Sequence, residues 1–239
     1  MNWILLYTLS FLAIIIVLTV GYFMQSQSSS CFKHYHDNET KKGITARELS
    51  EILSHHYKLR NTAITILKAK KSNYFSAKYN VIKFSPETAY SPYLFDLAIS
   101  SKCTNQAKKQ QYNYISSAFL GILSFICKMI TILFIPIILI FSIINISLGL
   151  ETLAYTTILI SLVCYAAAFL IQIILFVLLQ NSTKKVKKDL KDLELFDEEE
   201  IESIYNLILA LNKYNLFTHT RLSLCMFSFV NPTAFVNRR

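Results

Sequence analysis

Metal-ligating side chains crowd one short stretch of this chain: Cys31, His34 and His36, with Asp37 adjacent. Thiolate and imidazole donors at that density could hold zinc, yet no second ligand pair follows at a zinc-finger spacing. The stretch therefore reads as a polar linker, with metal binding by Cys31, His34 and His36 as the minor alternative. His55 and His56 are adjacent, hence about 100° apart on a helix, and cannot chelate together. His219 is the last of the five histidines. None of them opens a His-Glu-x-x-His segment or its inversion, the helical arrangement in which two imidazoles one turn apart bind zinc and the carboxylate serves as general base. The five cysteines, Cys31, Cys103, Cys127, Cys164 and Cys225, form no Cys-x-x-Cys pair and read as free thiols.

Long apolar runs dominate the rest of the chain. Met129–Leu150 and Leu153–Leu179 are two long apolar runs parted by Gly149, Glu151 and Thr152, and each exceeds the roughly 20 residues that cross a hydrocarbon core. They predict a transmembrane helical hairpin. A third run, Trp3–Met24, lacks the basic start and is longer than the apolar part of a signal peptide, so it reads as an uncleaved anchor. With 53% hydrophobic and 16% charged residues, and only 4 Gly and 4 Pro, the chain is expected to be a mainly α membrane protein.

Charge placement orients it. Lys and Arg outnumber Asp and Glu between Cys31 and Ser116, and Lys184, Lys185, Lys187, Lys188 and Lys191 follow the hairpin, whereas its turn has no basic residue. The expected arrangement is a multi-pass cell-membrane protein with its N-terminus and Glu151 outside, and with residues 31–116 and 181 onward cytoplasmic. Lys128 would run its stem along lipid to the headgroups. Four regions result: an anchor, 1–30; a cytoplasmic α+β segment, 31–116; the transmembrane hairpin, 117–180; and a C-terminal helical region, 181–239.

Within the cytoplasmic segment, Thr45 and Glu48 form a capping box, with Ile44 and Leu49 as its hydrophobic staple, so a helix starts at Thr45. Ala63–Leu67 and Tyr79–Phe84 read as two strands of a β-hairpin, with Lys70–Ser76 as the turn. Ser91 and Pro92 signal a second helix running to about Gln110. Lys68, Lys70, Lys71, Lys78 and Lys83 stand among Tyr74, Phe75 and Tyr79. Attraction to anionic lipid explains that basic surface, so the lipid bilayer is an expected partner and nucleic acid is not. Beyond the hairpin, Asp197 is a helix cap whose first turn holds Glu198, Glu199 and Glu200. Leu222–Val230 is apolar enough to dip into the membrane interface.

This order of elements resembles the bacterial integral-membrane neutral zinc metallopeptidases. The matching residues are Gly43-Ile44-Thr45 with Ala46, Glu48 and Ile52; Tyr79-Asn80-Val81-Ile82-Lys83-Phe84-Ser85-Pro86; Asn181-Ser182; and Leu195-Phe196-Asp197-Glu198-Glu199-Glu200-Ile201 before Leu207–Leu211. The resemblance implies a zinc-binding His-Glu-x-x-His helix. Counted from Ser85-Pro86, it should fall at Ile99-Ser100-Ser101-Lys102-Cys103, with Ala98 before it and Gln106 after it. Ile99 and Cys103 stand at the ligand positions, Ser100 at the carboxylate, and Leu178 near the position implied for a third ligand.

Zinc is thus implied by the resemblance alone, and with its ligands missing the expectation is no cofactor and no catalytic residue. The chain is expected to be a catalytically inactive relative of the membrane zinc metallopeptidases, a membrane-embedded binding or scaffold protein with a membrane protein or polypeptide as candidate partner. The alternative is an active metallopeptidase with non-standard ligands drawn from Cys103 and the His34/His36 cluster. A channel or transporter fits less well, because the spans contain no carboxylate or paired charge.

Overall fold

Thr45 opens a helix as predicted: its hydroxyl accepts from the Glu48 backbone N–H, and the Glu48 carboxylate returns a bond to Thr45 N at 2.8 Å. That local motif recurs within a computed structural model whose described residues are 3–35, 37–67, 73–130, 141 and 144–225. In chain order the elements are α1 (Trp3–Tyr35), α2 (Ala46–His56), β1 (Ala63–Ile66), β2 (Tyr74–Ser76), β3 (Val81–Phe84), α3 (Pro86–Ala89), α4 (Leu94–Tyr112), α5 (Tyr114–Met129), α6 (Glu151–Asp192) and α7 (Glu198–Cys225). The described chain is mainly helical, with one small sheet. It divides into two compact units, one of Met1–Ser26, Ile122–Phe176 and Lys213–Arg239, the other of Gln27–Gly121 and Val177–Asn212.

The second unit holds the sheet, and here the expected strand pairing is corrected. β1 pairs with β3 in parallel, Ala63 opposite Val81 and Ile66 opposite Phe84, while β2 pairs antiparallel with β3, Tyr74 opposite Lys83. The strand order is β1-β3-β2. The hairpin is therefore β2–β3, turning through 77–80, and Tyr79 belongs to the turn rather than to a strand. Asn80 closes that turn at φ +50°, a left-handed conformation that Asn tolerates better than most residues. Its amide donates to the Asn61 carbonyl at 2.8 Å, which fixes the start of β1 beside the start of β3.

Two apolar clusters fill this unit. In the larger, Leu49 and Leu53 of α2 meet Leu94 and Leu97 of α4, Val186 and Leu190 of α6, and Ile201, Ile204 and Leu207 of α7. Burying each such side chain stabilises by about 1.5–3 kcal/mol. Ile44 packs against the same cluster beside Leu49, as a hydrophobic staple requires. In the smaller, Ile82 and Phe84 of β3 cover Cys103 and Ala107 of α4. Asp197 precedes α7, and Glu200 bonds back to the Asp197 N–H at 3.1 Å. The same Glu200 accepts from Lys41 N at 2.8 Å, and Asp197 pairs with the Lys41 ammonium at 2.5 Å, so the loop before α2 is fastened to the start of α7. α4 begins at Leu94, with Tyr93 as its cap residue. Ser91, expected as the start signal, accepts from Tyr93 N at 3.3 Å.

In the first unit, residues 144–147 are helical and stop at Gly149, which takes φ +74° while Leu150 N bonds the Asn145 carbonyl at 2.9 Å. The predicted run Leu153–Leu179 lies inside α6, a continuous helix of 42 residues. Among the described residues, one segment, Ala166–Asp192, is long and apolar enough to cross a membrane by length and composition. Thr156 and Thr157 return their hydroxyls to the carbonyls of Thr152 and Leu153, so these polar groups are satisfied within their own helix. Most of the Met129–Leu150 run, His36, the residues 68–72 and the end of Leu222–Val230 lie outside the described residues.

Candidate functional site

The helix on which a zinc motif was expected is α4, and its surroundings decide what each face can do. It packs against α2 on one side and against β2 and β3 on another. Leu97 and Ala98 join the larger apolar cluster, and Cys103 and Ala107 join the smaller, with Ile99 packed against it. Ile99 and Cys103, one turn apart, thus lie with Ile82, Phe84 and Ala89 under the sheet. Cys103 is 4% exposed, and burial pushes its thiol up to about 12, against a small opposing effect of Lys102. A thiol held protonated at neutral pH is a poor metal donor, because the ligand is the thiolate.

Ser100, at the position of the expected carboxylate, faces α2 instead. Its hydroxyl donates to the Ala46 carbonyl at 2.6 Å. Thr104 donates to the Ser100 carbonyl at 3.0 Å, and Ser50 Oγ lies 2.8 Å from Thr104 Oγ1 and 3.1 Å from Ser100 Oγ. Ser50 accepts from Ser100, and with the Thr104 proton committed to the Ser100 carbonyl, Ser50 donates to Thr104 across the two helices. All three residues are fully buried. An unmade bond in such a place costs about 1–3 kcal/mol, so the cluster holds α4 in one register on α2.

A second polar chain supports the start of α4. Asn73 accepts from Ser85 N at 2.8 Å and donates to Thr88 Oγ1 at 2.9 Å, and Thr88 donates on to the buried Asp96 carboxylate at 3.0 Å. Sequence reasoning missed Ser50, Thr104, Asn73 and Asp96. Each is an ordinary polar residue whose partner is 8 to 54 positions away.

The other candidates are dispersed. Leu178, on α6, is 44% exposed and is not among the residues packed with Ile99 and Cys103. Cys31 sits at 3.9 Å from the Asn206 carbonyl, to which its thiol donates, and it packs against the larger apolar cluster. His34 is exposed, its ring edge-on to Tyr35 at 4.7 Å, and His36 lies outside the described residues. Among the described residues, no three His, Cys, Asp or Glu side chains come together where they could hold a metal ion. His55 and His56 line an open groove of about 420 Å³ with Glu51, Ile52 and Leu193, and Glu51 there is paired with Arg47 at 2.8 Å. A zinc hydrolase needs three protein donors and one open position. The aliphatic, hydroxyl and protonated thiol groups at Ile99, Ser100, Cys103 and Leu178 do not fit that ion.

The fold and site describe a mainly helical protein with a small mixed sheet, whose α4 carries neither His nor Glu. The family model of the neutral zinc metallopeptidases matches residues 10–212, and the chain belongs to that family, as a divergent member. No curated protein and no solved structure matches it.

Proposed function

We propose that this chain is a membrane-embedded, catalytically silent member of its family that binds or holds a polypeptide or another membrane protein. The observation that carries the reading is the fate of α4, which contains no His and no Glu. Its Ile99–Cys103 face is packed under the sheet, and its Ser100 is bonded to α2. No zinc-activated water has a place in this account, and α4 serves as a packing element. Against the alternative with ligands drawn from Cys103 and the His34/His36 cluster stands the packing of Cys103 under the sheet, in a cluster that does not include the exposed His34.

Membrane embedding is supported by the apolar side chains exposed along the first unit, among them Leu12, Ile16, Leu159, Val163, Leu170 and Ile174. In water such a belt would be a large unfavourable surface, and in hydrocarbon it costs nothing. The orientation that the basic residues favour puts residues 31–116 and 181 onward in the cytoplasm.

The test is cleavage of an unfolded protein substrate by the full chain purified in detergent, with and without a chelator. The reading expects no chelator-sensitive cleavage. Proteolysis that a chelator abolishes and added zinc restores would overturn it.

A further inference from the structure

The lysines between α4 and α6 are unevenly neutralised. Two bonds join these helices: Asn105 Nδ2 donates to Ser182 Oγ at 2.8 Å, and Lys108 Nζ pairs with Asp189 at 2.9 Å. Lys109 follows Asn105 by one turn of α4, and Lys185 lies on α6 between Ser182 and Asp189. The nearby acids are already engaged: Asp189 by Lys108, Glu202 by Lys187, Glu198 by Lys191. Among the described residues, Lys109 and Lys185 have no hydrogen bond or ion pair through their ammonium groups, and neither has Lys102, two turns before Lys109 on the same helix stripe. Burial lowers the pKa of Lys109, and the neighbouring Lys185 lowers it further. An anion placed between the two ammonium groups would favour their charged forms and so act against both causes.

We propose that Lys109 and Lys185 hold the phosphate of an anionic phospholipid headgroup, with Lys102 adding to the positive field from the same stripe of α4. Two like charges brought together across a pair of bonded helices, with the one carboxylate beside them, Asp189, already paired to Lys108, are an incomplete site, and a phosphate diester completes it with charge-assisted hydrogen bonds. Lipid is favoured over a soluble phosphate because Lys185 follows the apolar run Leu153–Leu179 by six residues on the same continuous helix. That length is under two turns, which places the headgroup region within reach of the ammonium stem. The inference rests on the membrane reading above and is independent of the loss of zinc.

The full chain in neutral detergent is titrated with phosphatidylglycerol or phosphatidylcholine, with lipid retention read by native mass spectrometry and thermal stability as a second readout. Wild type should prefer phosphatidylglycerol. Lys109→Gln/Lys185→Gln should lose about tenfold of that preference, Lys109→Arg/Lys185→Arg should keep it, and Lys184→Gln/Lys188→Gln should keep it too. An absence of preference in wild type would overturn the proposal whatever the variants do. So would an equal loss in the Lys184/Lys188 variant, which would mean diffuse attraction. Equal stabilisation by inorganic phosphate without lipid would assign the site to free phosphate and overturn the lipid source. A chain that enters phosphatidylcholine vesicles yet shows no preference refutes this site alone, whereas one that enters no vesicle refutes the membrane reading.

Discussion

Ser100 donates its hydroxyl proton to the Ala46 carbonyl, 2.6 Å away in the first turn of α2. Ser100, expected from the sequence to stand where the family carries a carboxylate, is thus a joint between two helices. Its side chain is fully buried.

Replacing that joint should be measurable as stability. Ser100→Ala removes one donor and should cost about 1 kcal/mol, while Ser100→Glu forces a carboxylate into a fully buried gap and should cost about 3 kcal/mol or more. Thermal unfolding of the detergent-purified variants gives the order. A Ser100→Glu variant that melts with wild type would mean the position opens to solvent.

Cys103 should resist alkylation in the native chain at pH 8, because it is buried and burial pushes its thiol up to about 12. Peptide mapping after iodoacetamide treatment should show it modified only once the chain is unfolded. The sign of its pH effect follows: the unfolded thiol deprotonates near its ordinary 9.0 while the folded one keeps its proton, so stability falls as pH rises from 9 towards 12. Cys103→Ala should flatten that part of the profile.

At the acid end the carboxylates act in the opposite sense. The Lys41 ammonium holds Asp197 below its ordinary 3.8, Lys191 holds Glu198 below 4.5, and the Thr45 backbone N–H holds Glu48 below 4.5. Their contribution is present above those ordinary values and is lost as pH falls through the lower folded ones. Melting temperature should therefore hold down to about pH 4.5 and decline below it. Lys41→Met should shrink the decline below 3.8, and an unchanged curve would show that the Lys41–Asp197 pair contributes nothing.

Thr45→Ala should destabilise by about 1 kcal/mol through loss of the cap on α2, and Thr45→Ser should restore it. Chemical or thermal unfolding in detergent checks both.

What could be read in advance was local. Thr45 with Glu48, and Asp197 with Glu200, announce helix starts because both partners lie within one turn. Gly149 marks a helix end because few other residues take its positive φ. The β1–β3 pairing was not legible, since a parallel pair has no turn sequence of its own and Tyr79 and Val81 alternate as a strand would. At the candidate site, the residue types of Ile99, Ser100 and Cys103 could be read directly. Their burial could not, because it depends on Phe84 and Ile82 arriving from the sheet and on Ser50 meeting Thr104 across 54 positions. That Lys109 and Lys185 have no partner among the described residues could be seen only once α4 and α6 were brought together.

Whether this chain holds zinc is decided by metal stoichiometry of the full chain, purified in detergent without chelator and measured by elemental mass spectrometry after zinc supplementation. Zinc should stay far below one ion per chain, unchanged in an Ile99→Ala/Cys103→Ala variant. One tightly held zinc per chain, lost when Cys103 is replaced, would contradict this expectation.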